Sequence, residues 1–293
     1  KKFGNDSVSV LSDQKALAAI PYGLSACLSL DLILGRPGFP AGRLTELVGL
    51  EGKSKSTNSY HVLASCQQQG GVSVLLETEQ SYEAERLKQI GVNVDDLILC
   101  QPRFLEEAFE MILQTMEELR VKQKFTGPLC IVLDSIAGTP SSAEFEGNYD
   151  TQFMANAARV ISLGLRKLMR PLAEYKVVLM FLNQLKSTMA RYGDDLESYG
   201  GKSIKYHSSI RVRVHSQKKD LIVEDGERIG VKITTDTIKN KLALPFQRTQ
   251  YFLHFGHGID QPQDLWQSAI KIGVLKPSKG VFKLEIGKNS KMI

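Results

Sequence analysis

The stretch that decides the fold is Leu44-Thr45-Glu46-Leu47-Val48-Gly49-Leu50-Glu51-Gly52-Lys53-Ser54-Lys55-Ser56-Thr57. Leu44 to Val48 reads as a strand, and the helical pattern of Ser56 to Gln69 begins after a glycine-rich turn. The turn matches GxxxxGK[ST] at Gly49, Lys55 and Ser56 and departs from it at Ser54, where the second glycine belongs. A strand feeding such a turn into a helix is the setting of a phosphate-binding loop. Backbone N–H groups and the helix N-terminus surround phosphates, a lysine reaches the β and γ oxygens, and a hydroxyl ligates Mg²⁺. Lys55 and Ser56 fill those last two roles, with Gly49, Glu51, Gly52, Lys53, Ser54 and Thr57 around the nucleotide. A Cβ at position 54 restricts a backbone that glycine would leave free. The competing reading is an ordinary Lys/Ser-rich turn.

Working outward, short apolar runs alternate with helical patterns. Val72 to Leu76, Leu97 to Leu99, Leu129 to Leu133 and Val177 to Leu182 read as strands. Tyr82 to Ile90, Leu105 to Lys124 and Thr151 to Arg170 read as helices. Ile210 to Val214, Val231 to Ile238 and Tyr251 to Phe255 then alternate as antiparallel strands do. The fold class is α/β: a mainly parallel central sheet flanked by helices, with an antiparallel extension. From about Asp260, Trp266 and the run Ile270 to Leu275 suggest a small C-terminal lobe.

Three strand ends carry further polar groups. Asp134 closes the apolar run Leu129 to Leu133, where phosphate-loop proteins hold Mg²⁺ through water, although a lone aspartate there is also a common helix cap. Glu77 and Glu79 follow Val72 to Leu76, and one of them can orient a water as general base. Gln184 follows the fourth strand and can touch a γ-phosphate.

The bulk composition bounds rather than decides. The 293 residues carry a net charge of +5, which permits a nucleic-acid partner without requiring one. Hydrophobic residues at 42% and charged residues at 24% are those of a globular protein, so fibrous and disordered classes are excluded. Cys27, Cys66, Cys100 and Cys130 form no CxxC pair, so they read as buried free thiols of a reducing, cytoplasmic compartment. There is no run of about 18 apolar residues, hence no expected membrane helix. The start, Lys1-Lys2-Phe3-Gly4, lacks a signal peptide and a methionine, so the chain reads as beginning partway into a longer protein.

Taken in order, Leu28-Ser29-Leu30-Asp31, the phosphate loop with its preceding Glu46, Leu133-Asp134-Ser135, Asn183-Gln184, Gly200-Gly201 and Lys239-Asn240-Lys241 followed by Pro245-Phe246 resemble the RecA family of recombinases. The resemblance implies three regions: the end of an N-terminal polymerisation segment (1–20), an ATPase core (21–258) and the start of a C-terminal lobe (259–293). It implies that Lys55, Ser56 and Asp134 serve ATP and Mg²⁺, that Glu79 activates water and that Gln184 senses the γ-phosphate. Glu83 and Arg86 would lie at the nucleotide, and Lys239 and Lys241 would reach a neighbour's ATP across a helical homo-oligomeric filament. Single-stranded and duplex DNA would be the partners, held by loops at about Ser141 to Phe153 and Leu185 to Gly201.

The second loop is plausible from its residues too. Lys186, Arg191, Tyr192, Gly200, Gly201, Lys202 and Lys205 combine cations, an aromatic ring and flexible glycines. With the resemblance, Arg159, Ser162 and Arg166 read as a DNA-tracking helix face; without it, as a solvated one. Arg86 stands where the family has a tyrosine that stacks on adenine, and Gln80 replaces a histidine, so a loosened base preference and a divergent member, bacterial or phage-encoded, are expected. The expected activity is DNA-dependent ATP hydrolysis driving homologous pairing and strand exchange. Two alternatives are a catalytically weak RecA-like mediator, which Ser54 favours, and a hexameric helicase. His254 and His257 read as structural rather than metal-ligating.

Overall fold

The computed structural model describes residues 20–80, 82–147, 154–187, 196–278, 281–286 and 289–292. In chain order the elements are β1 (Gly23–Leu24), α1 (Leu28–Leu34), β2 (Phe39–Pro40), β3 (Arg43–Gly49), α2 (Lys55–Gln68), β4 (Val72–Glu77) and α3 (Ala84–Ile90). There follow β5 (Leu97–Cys100), α4 (Leu105–Glu117), β6 (Leu129–Asp134), α5 (Ser142–Glu146), α6 (Met154–Tyr175), β7 (Val178–Ser187), β8 (Leu196–Ser198) and α7 (Lys202–His207). The last third holds β9 (Ile210–His215), β10 (Leu221–Glu224), β11 (Glu227–Asn240), β12 (Arg248–His254), β13 (Gly258–Ile259), α8 (Gln261–Lys271), β14 (Leu275–Ser278), β15 (Val281–Ile286) and β16 (Asn289–Met292).

The central sheet runs β13-β12-β11-β9-β3-β7-β6-β4-β5, with β10 beside β11 and β8 beside β7. From β9 to β5 every pairing is parallel. From β9 outward to β13 every pairing is antiparallel. β9 is therefore the junction: it pairs parallel with β3 and antiparallel with β11, where its alternation had suggested antiparallel pairing only. Every residue of β6 is buried, the consequence of helices on both faces. One face packs α1, α2 and α3 through Leu30, Leu63 and Leu87. The other packs α4 and α6 through Ile112, Met116, Ile161 and Leu165. β14, β15 and β16 form a separate antiparallel sheet, joined to α8 by an edge-on contact of Trp266 with Phe282.

Several boundaries differ from the sequence reading, each for a physical reason. α4 ends at Glu117 and continues as a single π turn over Glu118–Lys122, where Arg120 donates to the carbonyls of Tyr175 and Phe125. α6 continues past Arg170 through Pro171 to Tyr175, because Leu172 and Leu168 are buried against the sheet and outweigh the lost backbone bond. β7 extends to Ser187 instead of stopping at Leu182, because β8 pairs with its end. Asn183 and Gln184 therefore lie within the strand rather than after it. α3 starts at Ala84, two residues later than its pattern suggested. Ile270 falls in α8 and Leu275 in β14, so Ile270 to Leu275 is not one element.

Candidate functional site

The carboxyl ends of β3, β4, β6 and β7 meet at the N-terminus of α2, the crevice where open α/β sheets bind ligands. A cleft of ≈ 370 Å³ opens there, lined by Glu51 through Thr57, Tyr60, Glu79, Glu83, Arg86, Asp134, Ser135, Gln184, Leu253 and Phe255. The turn before α2 folds as it does because its residues accept unusual backbone angles. Gly52 sits at φ 66° and Ser54 at φ 63°, both left-handed. The glycine motif is therefore explained by conformation: Ser54 occupies the left-handed position at a strain of about 1 kcal/mol rather than reshaping the loop. A Cβ at Gly49 would stand 2.4 Å from the Val214 carbonyl oxygen, so only glycine fits there.

Ser54 caps α2 without a side-chain hydrogen bond, which leaves the first N–H groups of the helix facing the cleft. Lys55 is buried, its ammonium donating to the carbonyls of Gly49 (3.2 Å) and Leu50 (2.9 Å). Burial lowers its pKa, opposed by the charges of Asp134, Glu79 and Glu51. Asp134 is 9% exposed. Burial pushes its pKa up to about 6; the Ser56 hydroxyl bond and Lys55 oppose this, and the Glu79 and Glu77 carboxylates add to it. Three carboxylates thus face one buried ammonium, a cluster short of positive charge. The oxygen donors of Ser56 and Asp134 fit a hard divalent cation.

The two glutamates after β4 divide their work. Glu77 is buried, and its carboxylate accepts from the backbone N–H groups of Glu79 (3.1 Å) and Gln80 (2.8 Å), fixing the turn. Glu79 lines the cleft, its Oε1 accepting from the Ser135 hydroxyl at 2.5 Å. At the far side, Arg86 Nη2 donates to Thr57 Oγ1 at 2.9 Å, and the half-exposed Phe255 ring borders the opening.

Sequence reasoning missed Tyr60, Ser135, Leu253 and Phe255 as lining residues. The available signal for Phe255 was an aromatic residue beside Gly256 and Gly258, in the turn that the strand reading ended on. Lys239 and Lys241 do not line the chain's own cleft. Lys239 Nζ donates to the carbonyls of Lys205 (2.5 Å) and Tyr206 (3.2 Å), and Lys241 Nζ to that of Tyr206 (3.3 Å), at the end of α7.

The chain matches, over residues 1–260, the family model described as the RecA N-terminal domain. The chain belongs to the RecA family. It is 35% identical over 285 residues to "Protein RecA" of Ureaplasma parvum, covering 96% of this chain and 81% of that protein. It is 33% identical over 285 residues to "Protein RecA" of Thermus aquaticus, with the same coverage, and 34% identical over 288 residues to that of Nautilia profundicola, covering 96% and 78%.

On this RecA-family fold, of the cations expected at DNA, Arg159 and Arg166 lie on α6, Lys186 in β7, and Lys202 and Lys205 on α7. Gly200 (φ 84°) and Gly201 (φ 70°) run against α6, where a Cβ on Gly200 would meet Ile161 at 2.7 Å and one on Gly201 would meet Ala158 at 3.7 Å. That contact sets Lys202, at the start of α7, beside the α6 turn carrying Arg159 and Ser162. Arg159 and Arg166 are exposed; Arg166 Nε bonds the Ser162 carbonyl at 3.3 Å. Lys205 is half-buried. Lys186 lies in β7, opposite Glu197. Arg191 and Tyr192 lie outside the described residues, as do residues 1–19 and the end of the first loop, 148–153.

His254 Nε2 sits 3.2 Å from Asp260 Oδ2, and no group that could hold a metal through His, Cys, Asp and Glu occurs among the described residues. Cys27, Cys66 and Cys130 are buried free thiols and Cys100 is half-buried. No helix among the described residues is long and apolar enough to cross a membrane.

Proposed function

We propose that the protein is a DNA-dependent ATPase that assembles as a helical filament on single-stranded DNA and pairs that strand with a homologous duplex. One observation carries the reading: Lys55, Ser56, Asp134, Glu79 and Gln184, from four strand ends, converge on one cleft at an uncapped helix N-terminus. Family membership supports it.

In this reading the triphosphate lies on the N–H groups of the turn and of α2, with Lys55 exchanging its carbonyl bonds for the β and γ oxygens. Ser56 and Asp134 would hold Mg²⁺, which would supply positive charge against the developing negative charge of the transferred phosphoryl group. Glu79, oriented by Ser135 and by the backbone turn that Glu77 fixes, accepts a proton from the attacking water as general base. Gln184 touches the γ-phosphate from β7. Lys239 and Lys241 act in the cleft of an adjacent copy, the role an arginine finger plays elsewhere, so turnover needs assembly. Phosphates of the DNA meet Arg159, Arg166, Lys186, Arg191, Lys202 and Lys205; Tyr192 stacks on bases; Gly200 and Gly201 let the segment adapt.

A mediator that only binds nucleotide is the second reading, favoured by the strained Ser54. ATP hydrolysis measured with and without single-stranded DNA separates the two. DNA should raise turnover by at least about tenfold, a change of ~1.4 kcal/mol in barrier. Binding of DNA with no turnover in either condition would leave the mediator.

A further inference from the structure

The β12–β13 hairpin, which carries Leu253 and Phe255 to the cleft, is tied to α2 at two buried side chains that none of the roles above uses, Asn58 and His61. At the first, the Tyr251 hydroxyl donates to Asn58 Oδ1 at 2.6 Å. Asn58 Nδ2 donates in turn to the Ser54 carbonyl at 2.8 Å, and the Asn58 N–H donates to the same oxygen at 3.1 Å. The left-handed residue of the phosphate loop is thus held by Asn58, and Asn58 is held by β12. At the second, His61 Nε2 accepts from the Ile259 N–H at 2.8 Å. Ile259 and Gly258 form β13, which pairs with Leu253 and His254. A Cβ on Gly258 would stand 2.5 Å from His61 Nε2, so the ring lies directly against that turn. Burial lowers the His61 pKa to about 4, so at pH 7 the ring is neutral, with its proton on Nδ1 and Nε2 free to accept. Both ties are directional bonds in the interior, where an unpaired partner is costly, so each holds one separation. His61 lies six residues beyond Lys55 on the same helix, about 9 Å along its axis. The phosphate end and the aromatic rim of the cleft are therefore both referenced to α2.

We infer that Asn58 and His61 are positioning residues that fix the distance between the phosphate loop and the wall formed by Leu253 and Phe255, so that the cleft discriminates a nucleoside triphosphate from a bare polyphosphate. The inference rests on the function proposed above and assigns the nucleobase to that wall. Each residue acts through the hairpin rather than on the ligand. Loss of either tie leaves the loop, Lys55 and Ser56 to bind phosphates as before, but lets the wall drift from the place where a base attached to those phosphates would lie. The base then gains less from the same side chains, because part of the contact energy goes into ordering them.

The test titrates ATP and inorganic tripolyphosphate, each with Mg²⁺, into the wild type, His61→Ala and His61→Gln by calorimetry. Glutamine keeps a neutral acceptor for the Ile259 N–H. In His61→Ala the affinity for ATP should fall at least about fivefold, the scale of one lost buried hydrogen bond, while that for tripolyphosphate stays within about twofold of wild type. His61→Gln should recover ATP binding to within about twofold of wild type. Equal losses for the two ligands, no loss for ATP, or a glutamine no better than alanine overturns the inference. A wild type that binds ATP no more tightly than tripolyphosphate overturns it too, because the wall then adds nothing. If the wild type binds neither ligand, the proposed function fails instead. Should His61→Ala not fold, Tyr251→Phe, which deletes only the hydroxyl that holds Asn58, takes its place: a loss for ATP alone supports the clamp, and equal losses or none refute it.

Discussion

Replacing Asp134 by asparagine is expected to make the free protein more stable and, at the same time, inactive. The carboxyl pKa rises from 3.8 to about 6 on folding, chiefly through burial, with Glu79 and Glu77 adding to the rise. That difference corresponds to ~3 kcal/mol favouring the neutral form in the folded state. A carboxyl whose pKa is raised on folding costs stability above its folded pKa. The cost is present in full at pH 7.5, shrinks as the pH falls through about 6, and is gone below 3.8. Asparagine, neutral at every pH and of the same shape, removes it. In the absence of Mg²⁺ and nucleotide, Asp134→Asn should therefore unfold at a temperature ~3–8 °C above wild type at pH 7.5. The two should converge as the pH is lowered toward 4. Thermal unfolding followed by circular dichroism in EDTA reads this directly. Millimolar Mg²⁺ with ATP should then stabilise the wild type more than the variant, because the variant lacks one of the two side chains proposed to hold the cation. A variant less stable than wild type at pH 7.5 would mean that Asp134 is well solvated or well paired, and the charge-deficient cluster would be refuted.

Ser54→Gly should relieve about 1 kcal/mol of left-handed strain against ~0.5 kcal/mol of added chain entropy, raising the unfolding temperature by ~0.5–1.5 °C; a lower unfolding temperature than wild type would show that the turn is unstrained. Phe255→Ala should weaken nucleotide affinity by about tenfold through lost stacking at the rim of the cleft, with turnover at saturation nearly unchanged. A change below about twofold in a fluorescent-nucleotide titration would remove Phe255 from the site.

The cleft was largely legible in the sequence because its core is a local device. A strand, a left-handed turn and a helix start are contiguous at Leu44 to Ser56, and Asp134 announces itself as an acid ending an otherwise apolar run. What stayed hidden depends on contacts between distant segments. Phe255 and Leu253 reach the cleft only because the antiparallel extension folds back beside α2, where the Tyr251 hydroxyl donates to Asn58 Oδ1. The length of β7 is set by its partner β8, not by its own composition, so Asn183 and Gln184 read as following the strand rather than lying in it. The helical pattern reads only as far as Arg170, and the burial of Leu172 carries the helix on through Pro171 to Tyr175. The partnership of Glu46 with Arg211 spans 165 residues and leaves no periodic trace.

The proposed cleft is completed by lysines from an adjacent copy, and mixing two inactive variants tests that directly. Lys55→Ala lacks a working cleft but keeps both bridging lysines; Lys239→Ala with Lys241→Ala keeps the cleft but lacks them. Each should be inactive by itself on single-stranded DNA. In a random equimolar mixture about a quarter of the junctions join an intact cleft to intact lysines, so DNA-dependent ATP hydrolysis should return to about a quarter of the wild-type rate. If the mixture remains as inactive as its components while wild type turns over under the same conditions, the lysines do not act between copies and the central claim is contradicted.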